Sequence, residues 1–208
     1  MCSWCYAFKP VLQQLRQQLE TEYAENLRFE CLLGGLAADI QEPMPAEMRQ
    51  QLRATWQRIE QKVSDIQFNY SFWDNWQITK PRRSTYPACR AVIAAHSFDE
   101  NEKHYYERLM IEAIQNTYYQ EALNPSNDNV LVTLAVNIGL TEQAFNKQLS
   151  AAQTQQQLEQ QISQYQQMNV RSYPSLILKI DNSYWPVSID YLSSDSILET
   201  ISMLLDFE

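Results

Sequence analysis

Two cysteines at the start of the chain constrain its fold more than any other feature. Cys2 and Cys5 stand three residues apart, and Leu15 and Leu19 follow at the spacing of one helix face. The pattern predicts a helix whose first turn carries both thiols. Pro10 falls inside this helix, and we expect a kink there.

The position of the two thiols gives them different chemistry. Unpaired N–H groups and the helix dipole favour an anion at a helix start, which lowers the pKa of a thiol there. We therefore expect Cys2 to be the nucleophile and Cys5, more buried, to resolve a mixed disulfide. Half of a zinc site and an incidental pair remain alternatives. A zinc site needs two further ligands with partnered spacing, whereas Cys31 and Cys89 are single.

The composition excludes several classes of protein. Hydrophobic residues make up 45% of the 208 residues and charged residues 20%, as in a folded domain rather than a disordered one. The net charge is −9 and no basic run is present, so we expect no nucleic-acid partner. No apolar run approaches the about 20 residues of a membrane span, and no signal peptide is apparent. With only four cysteines, the sequence predicts a cytoplasmic protein.

The segment after the first helix has the pattern of a strand. Residues Leu27–Leu33 alternate and then become apolar, and Gly34-Gly35 follows directly. The glycine pair permits either a ligand-facing turn or a simple strand end. Cys31 is expected to point into the core as a small apolar side chain.

From Met44 to about Met168 the sequence predicts helices almost throughout. Trp56 and Ile59 lie on one face of the first of them. The segment 68–76 carries five aromatic residues in nine, more than a solvated loop favours. These rings either pack in the core or form a substrate surface beside the cysteines.

The periodicity changes after Asn169. Residues 170–180 are rich in β-forming residues, Asp181–Ser183 is typical of a hairpin turn, and residues 184–189 are expected to return antiparallel. Pro186 assigns the returning strand to an edge. Residues 193–207 have the pattern of a closing amphipathic helix.

Two local features resemble the DsbA-like family of thiol–disulfide oxidoreductases, in particular its cytoplasmic protein-disulfide-isomerase branch. One is Cys2-Ser3-Trp4-Cys5 opening a helix, and the other is Ser172-Tyr173-Pro174-Ser175 immediately before a strand. The resemblance spans nearly the whole chain. It implies an α/β thioredoxin fold with a large α-helical insertion, residues 1–40 and 169–208 forming the thioredoxin-like domain and residues 41–168 the inserted helical domain.

The resemblance also implies the roles of the site residues. Cys2 and Cys5 would exchange disulfides, and Pro174 would be a cis-proline beside them. Tyr173 would present its backbone to an extended substrate, and Trp4 would shape the entrance. The implied partners are protein or small-molecule thiols and disulfides, glutathione among them, with no metal and no organic cofactor.

Two alternative functions remain open, and the sequence departs from the pattern of the family in two ways. The alternatives are a glutathione-dependent transferase or isomerase of the kappa-like branch, whose active position is usually a serine, and a non-catalytic thioredoxin-fold binding module. The strand that normally precedes the two cysteines is missing, so we expect further residues upstream of Met1. Ser3 and Trp4 place no positive charge between the thiols, which predicts a more reducing potential than that of the strong oxidants.

Overall fold

The computed structural model describes residues 1–23, 27–75, 78, 80–100 and 104–206. The described residues are mostly helical, and their strands form one hairpin. The elements are α1 (Ser3–Glu22), α2 (Ala46–Lys62), α3 (Ser71–Asp74), α4 (Tyr86–His96), α5 (Tyr105–Tyr119), α6 (Asp128–Asn137), α7 (Glu142–Leu149), α8 (Ala152–Gln167), β1 (Leu176–Ile180), β2 (Ser183–Val187) and α9 (Asp195–Asp206). The helical block between the first helix and the hairpin is thus as expected. The division into two domains stays a prediction.

Helix α1 begins directly after Cys2, which has an extended backbone and occupies the N-cap position. The helix then runs through Pro10 to Glu22, so the proline is accommodated inside one continuous helix. Phe8 and Leu15, 2% and 1% exposed, lie on its inward face. Burial of these side chains holds the helix, and with it both thiols, against the rest of the molecule.

The hairpin lies where the sequence predicts it, but its turn is one residue shorter than expected, because Ser183 is already the first residue of β2. Ile180 pairs with Ser183 across the turn, and Leu176 pairs with Val187 at the other end of the antiparallel ladder. Asp181 has a φ of 50°, the left-handed conformation that tight hairpin turns require. Pro186 lies on β2, which pairs only with β1 among the described strands, in agreement with its assignment to an edge.

Helix α1 packs between two hydrophobic clusters. On one side, Phe8 and Leu15 pack with Val187 of β2 and Ile197 of α9. On the other, Ala7 joins a cluster that we call the aromatic cluster, formed by Trp56, Ile59, Val63, Ile66, Phe68, Phe72, Trp73, Tyr118 and Tyr119. The start of α1 is therefore fixed from both the hairpin side and the helical block.

Of the two roles expected for the aromatic segment 68–76, the structure shows core packing. Phe68, Phe72 and Trp73 are buried, and the Phe68 ring stacks on Trp56 with 4.7 Å between centroids. A short helix, α3, carries Phe72 and Trp73 into the cluster. Trp76 lies outside the described residues, as does Phe207 at the end of the predicted last helix.

The predicted strand Leu27–Leu33 is wrong for the described residues. A strand needs a hydrogen-bonded neighbour, and none of the described strands pairs with this segment. The Leu33 N–H instead donates to the Gln161 side chain of α8 over 2.8 Å. Cys31, expected in the core, is exposed on this segment.

The strand after Asn169 is shorter than predicted. Asn169 has a φ of 57° and the Tyr173–Pro174 peptide bond is cis, so residues 170–175 turn rather than extend, and β1 begins only at Leu176.

Among the described residues, no helix has the length and apolar character needed to cross a bilayer.

Candidate active site

Cys2 is bound to the first turn of α1 through its sulfur. As the N-cap residue, it accepts a hydrogen bond at Sγ from the Cys5 backbone N–H, 3.3 Å away. A side chain in this position satisfies one of the unpaired N–H groups at a helix start. The sulfur of Cys2 is thus held where developing negative charge is favoured.

Hydrogen bonding gives the two thiols different pKa values. The Cys5 thiol and the backbone N–H groups of Cys5 and Trp4 together lower the pKa of Cys2 from 9.0 to about 7, although burial opposes them. The same contact with Cys2, followed by burial, raises the pKa of Cys5 well above its ordinary value. Both side chains are partly buried, so the expected difference in burial does not distinguish them. The difference lies in their hydrogen bonds.

The Tyr173–Pro174 segment faces the thiols, as the resemblance implied. The Tyr173 carbonyl lies 3.5 Å from the Cys2 sulfur, which donates to it when protonated. The peptide bond that follows is cis. Cys2 and Tyr173 are 171 residues apart in the chain, so only the folded structure brings them together.

Gly34 contacts the Tyr173 side chain and fixes its position. The Tyr173 hydroxyl donates to the Gly34 carbonyl over 2.9 Å, and a Cβ placed on Gly34 would lie 2.3 Å from Cε1 of the tyrosine ring. Tyr165 packs edge-on against the same ring, with 5.7 Å between centroids. Of the two roles expected for the glycine pair, a strand end is not found because no described strand precedes Gly34; the close approach of the Tyr173 ring explains the glycine at this position.

Ser3 connects the motif to the helical block. Its hydroxyl accepts a buried hydrogen bond from the Trp56 indole N–H, 2.9 Å away. Ser3 is 7% exposed and Trp56 is completely buried. Ser3, one of the two residues between the thiols, therefore anchors the cysteine turn to α2, a role that no local sequence pattern indicates.

Trp4 belongs to a cation–aromatic group with Tyr191 and Lys62. Its ring lies 5.1 Å from that of Tyr191, and the Lys62 ammonium lies 5.7 Å from the Trp4 ring centroid and 5.3 Å from that of Tyr191. Lys62 ends α2 and Tyr191 follows the hairpin, so no motif signals their proximity. A positive charge thus stands beside the motif, although none stands between the thiols.

Two further cations on the segments that carry the site, Lys9 of α1 and Arg171 before Tyr173, are engaged with other residues. Lys9 forms a 2.6 Å ion pair with Glu112, and the Arg171 side chain donates to Asn169.

In the part of the chain that the structure describes, neither Cys2 nor Cys5 belongs to a group of three potential metal ligands. Cys89, partly buried on α4, has its pKa raised mainly by burial, as suits a packed thiol.

The sequence model of the DSBA-like thioredoxin domain family matches residues 1–195. The fold is also that of a candidate protein disulfide isomerase from Nitrosomonas europaea, with a TM-score of 0.82, 22% identity, and coverage of 100% of this chain and 94% of the other. No curated protein sequence matches the chain significantly.

The cytosolic disulfide reductase DsbM from Pseudomonas aeruginosa has a TM-score of 0.74 and 20% identity, with coverage of 100% of this chain and 96% of DsbM. A second DsbM structure, with GSH, has a TM-score of 0.72 and 20% identity, with coverage of 99% and 95%. The family match and these folds confirm the predicted resemblance and the predicted thioredoxin fold with a helical insertion.

Proposed function

The chain belongs to the DSBA-like thioredoxin domain family, and from this premise we propose that it is a thiol–disulfide oxidoreductase that works at Cys2 and Cys5. The observation that carries the proposal is the state of Cys2. Its sulfur caps α1, accepts the Cys5 N–H, and has its pKa lowered to about 7. A substantial fraction of the thiol is then the reactive thiolate near neutral pH.

The proposed reaction has two exchange steps. The Cys2 thiolate attacks one sulfur of a substrate disulfide; a Cys2–substrate bond forms, the substrate S–S bond breaks, and the other substrate sulfur leaves as a thiolate. The Cys5 thiol then loses its proton and attacks the Cys2 sulfur. The second substrate thiolate leaves, the substrate is reduced by two electrons, and a Cys2–Cys5 disulfide remains.

The order of the steps follows from the hydrogen bond between the thiols. The contact with Cys2 is the largest cause that raises the pKa of Cys5. Once the Cys2 sulfur is bonded to substrate, it carries no negative charge and this cause weakens. Cys5 is therefore held protonated in the free protein and becomes easier to ionise in the mixed disulfide.

We propose that Tyr173 and Pro174 form the substrate-facing segment and that Trp4 forms its rim. Support comes from the 3.5 Å contact between the Tyr173 carbonyl and the Cys2 sulfur. A short extended peptide beside Tyr173 would lie next to the reactive sulfur.

Glutathione is the proposed small thiol that reduces the Cys2–Cys5 disulfide; two molecules would be oxidised to one glutathione disulfide. The DsbM structure with GSH supports this choice, and the Lys62 ammonium beside Trp4 offers a charge of the sign that carboxylates favour. DsbM is described as cytosolic, and this supports the proposal that the present protein also works in the cytoplasm.

Reduction of insulin disulfides, with glutathione as the reductant, tests the proposed function. We expect the wild type to accelerate the reaction and Cys2→Ser to abolish the acceleration. Cys89→Ser removes a thiol of α4 and serves as the matched control, which should stay active. An active Cys2→Ser variant would refute the proposal, and so would an inactive wild type.

A further inference from the structure

The chain has only two histidines, and the fold brings them together. His96 ends α4 and His104 immediately precedes α5, yet their rings are nearly parallel, with 4.9 Å between centroids and 5° between planes. His104 has a left-handed backbone, with a φ of 48°, which is uncommon outside glycine.

Each imidazole has a buried carboxylate beside it. The Nδ1 of His96 lies 3.1 Å from Asp99 Oδ2, and the Nδ1 of His104 contacts Glu107 Oε2. The side chains of Asp99 and Glu107 are 2% and 9% exposed. The Asp99 carboxylate orients the His96 ring and leaves its other nitrogen available to a metal ion, whereas the Glu107 carboxylate lies where it can itself be a ligand beside His104.

We propose that His96, His104 and Glu107 bind a divalent transition-metal ion of the kind that imidazole prefers, with Zn²⁺ as its representative. One ligand atom of each of the three side chains lies within 4.8 Å of those of the other two. A tetrahedral zinc site with bonds of about 2.1 Å needs donors roughly 3.4 Å apart. The His96 side chain is 44% exposed, and its rotation would bring the ligand atoms to this separation.

The charges and hydrogen bonds favour this arrangement. A divalent cation would balance the two carboxylates, with both imidazoles neutral. Asp99 is held by the backbone N–H groups of Tyr106 and Glu107, 2.6 and 3.1 Å from its oxygens, so it can orient His96 without being a ligand itself. His104 immediately precedes α5 and Glu107 lies in its first turn, and the two side chains are already in contact.

The ion would stabilise the join between α4 and α5. Its ligands come from the end of one helix and the start of the next. Tyr119, which stacks on Tyr6 of α1 near the cysteines, is twelve residues beyond Glu107, or about 18 Å along α5. The site is thus distinct from the Cys2 and Cys5 pair and would bind metal whatever the oxidation state of that pair.

The test is a calorimetric titration with Zn²⁺ in a Cys2→Ser, Cys5→Ser background, which removes the thiol pair as a competing zinc ligand. We expect one ion per chain. His104→Asn, which tolerates the left-handed backbone, and Glu107→Gln should each weaken binding at least about tenfold. Glu142→Gln, an exposed glutamate in the first turn of α7, is the matched control and should bind as the background does.

Because the chain has two histidines, imidazole NMR signals identify the site directly. Zn²⁺ should shift both ring signals together and raise the melting temperature of the background protein, but not that of a folded Glu107→Gln variant. The proposal is overturned if no binding is detected, if binding survives both ligand variants, or if the ring signals do not move.

Discussion

At the scale of single residues, the two cysteines differ through their hydrogen bonds. The pKa of Cys2 is lowered to about 7 and that of Cys5 is raised. Iodoacetamide reacts with thiolates, so alkylation of Cys2 should increase as the pH rises through about 7 and then level off, while Cys5 stays slow. Mass-mapped labelling of the reduced protein at a series of pH values measures both rates. Equal rates, or a Cys2 midpoint at the unshifted value of 9.0, would contradict the assignment.

Ser3 is expected to matter for stability rather than for chemistry. Ser3→Ala leaves the buried Trp56 indole N–H without its acceptor, which should cost about 1–3 kcal/mol in the free energy of unfolding. Urea denaturation measures this loss. In a Trp56→Ala background the donor is absent and Ser3→Ala should cost much less. Equal costs in the two backgrounds would show that the hydrogen bond contributes nothing.

At the scale of elements, the site depends on how the segment before β1 packs against Gly34. In Gly34→Ala the new Cβ would meet the Tyr173 ring at 2.3 Å, and Tyr165 lies against the same ring. We expect Tyr173 to shift relative to Cys2, and the rate of insulin reduction to fall by about tenfold or more, since small misplacements at a reacting centre are costly.

Gly139→Ala is the control for this prediction. Gly139 has a φ of 97°, and a Cβ placed on it would have no neighbouring atom within 4 Å, so alanine there strains the backbone without touching the site. It should lower stability and leave the exchange rate of the folded protein intact. The same loss of rate in both variants would mean that Gly34 acts only through stability.

Helices and strands were predictable to different degrees. Apolar spacing predicts α1 and α2 because a helix satisfies its backbone within one segment. Leu27–Leu33 has a strand-like pattern, but a strand also depends on a neighbour that its own sequence does not specify. The contact of Lys62 with Trp4 and the stacking of the two histidines depend on tertiary packing and carry no local signal.

At the scale of the whole molecule, the redox potential combines these effects. The pKa of Cys2, about 7, is similar to the about 7 of thioredoxin and far above the about 3.5 of DsbA. A less stabilised thiolate gives a more reducing protein. We expect a potential near −200 mV, roughly 80 mV below that of DsbA. Equilibration with glutathione buffers measures it, and a value as oxidising as that of DsbA would show that other charges dominate.

The central claim, that Cys2 attacks and Cys5 resolves, is tested most directly by trapping the intermediate. Cys5→Ser should accumulate a mixed disulfide with a disulfide-bonded peptide, because the thiol that releases it is absent. Mass spectrometry of the trapped species then locates the bond. The account predicts one peptide per chain, attached at Cys2 and released by added thiol. Attachment at Cys31 or Cys89 instead, or no trapped species while the wild type turns over, would contradict it.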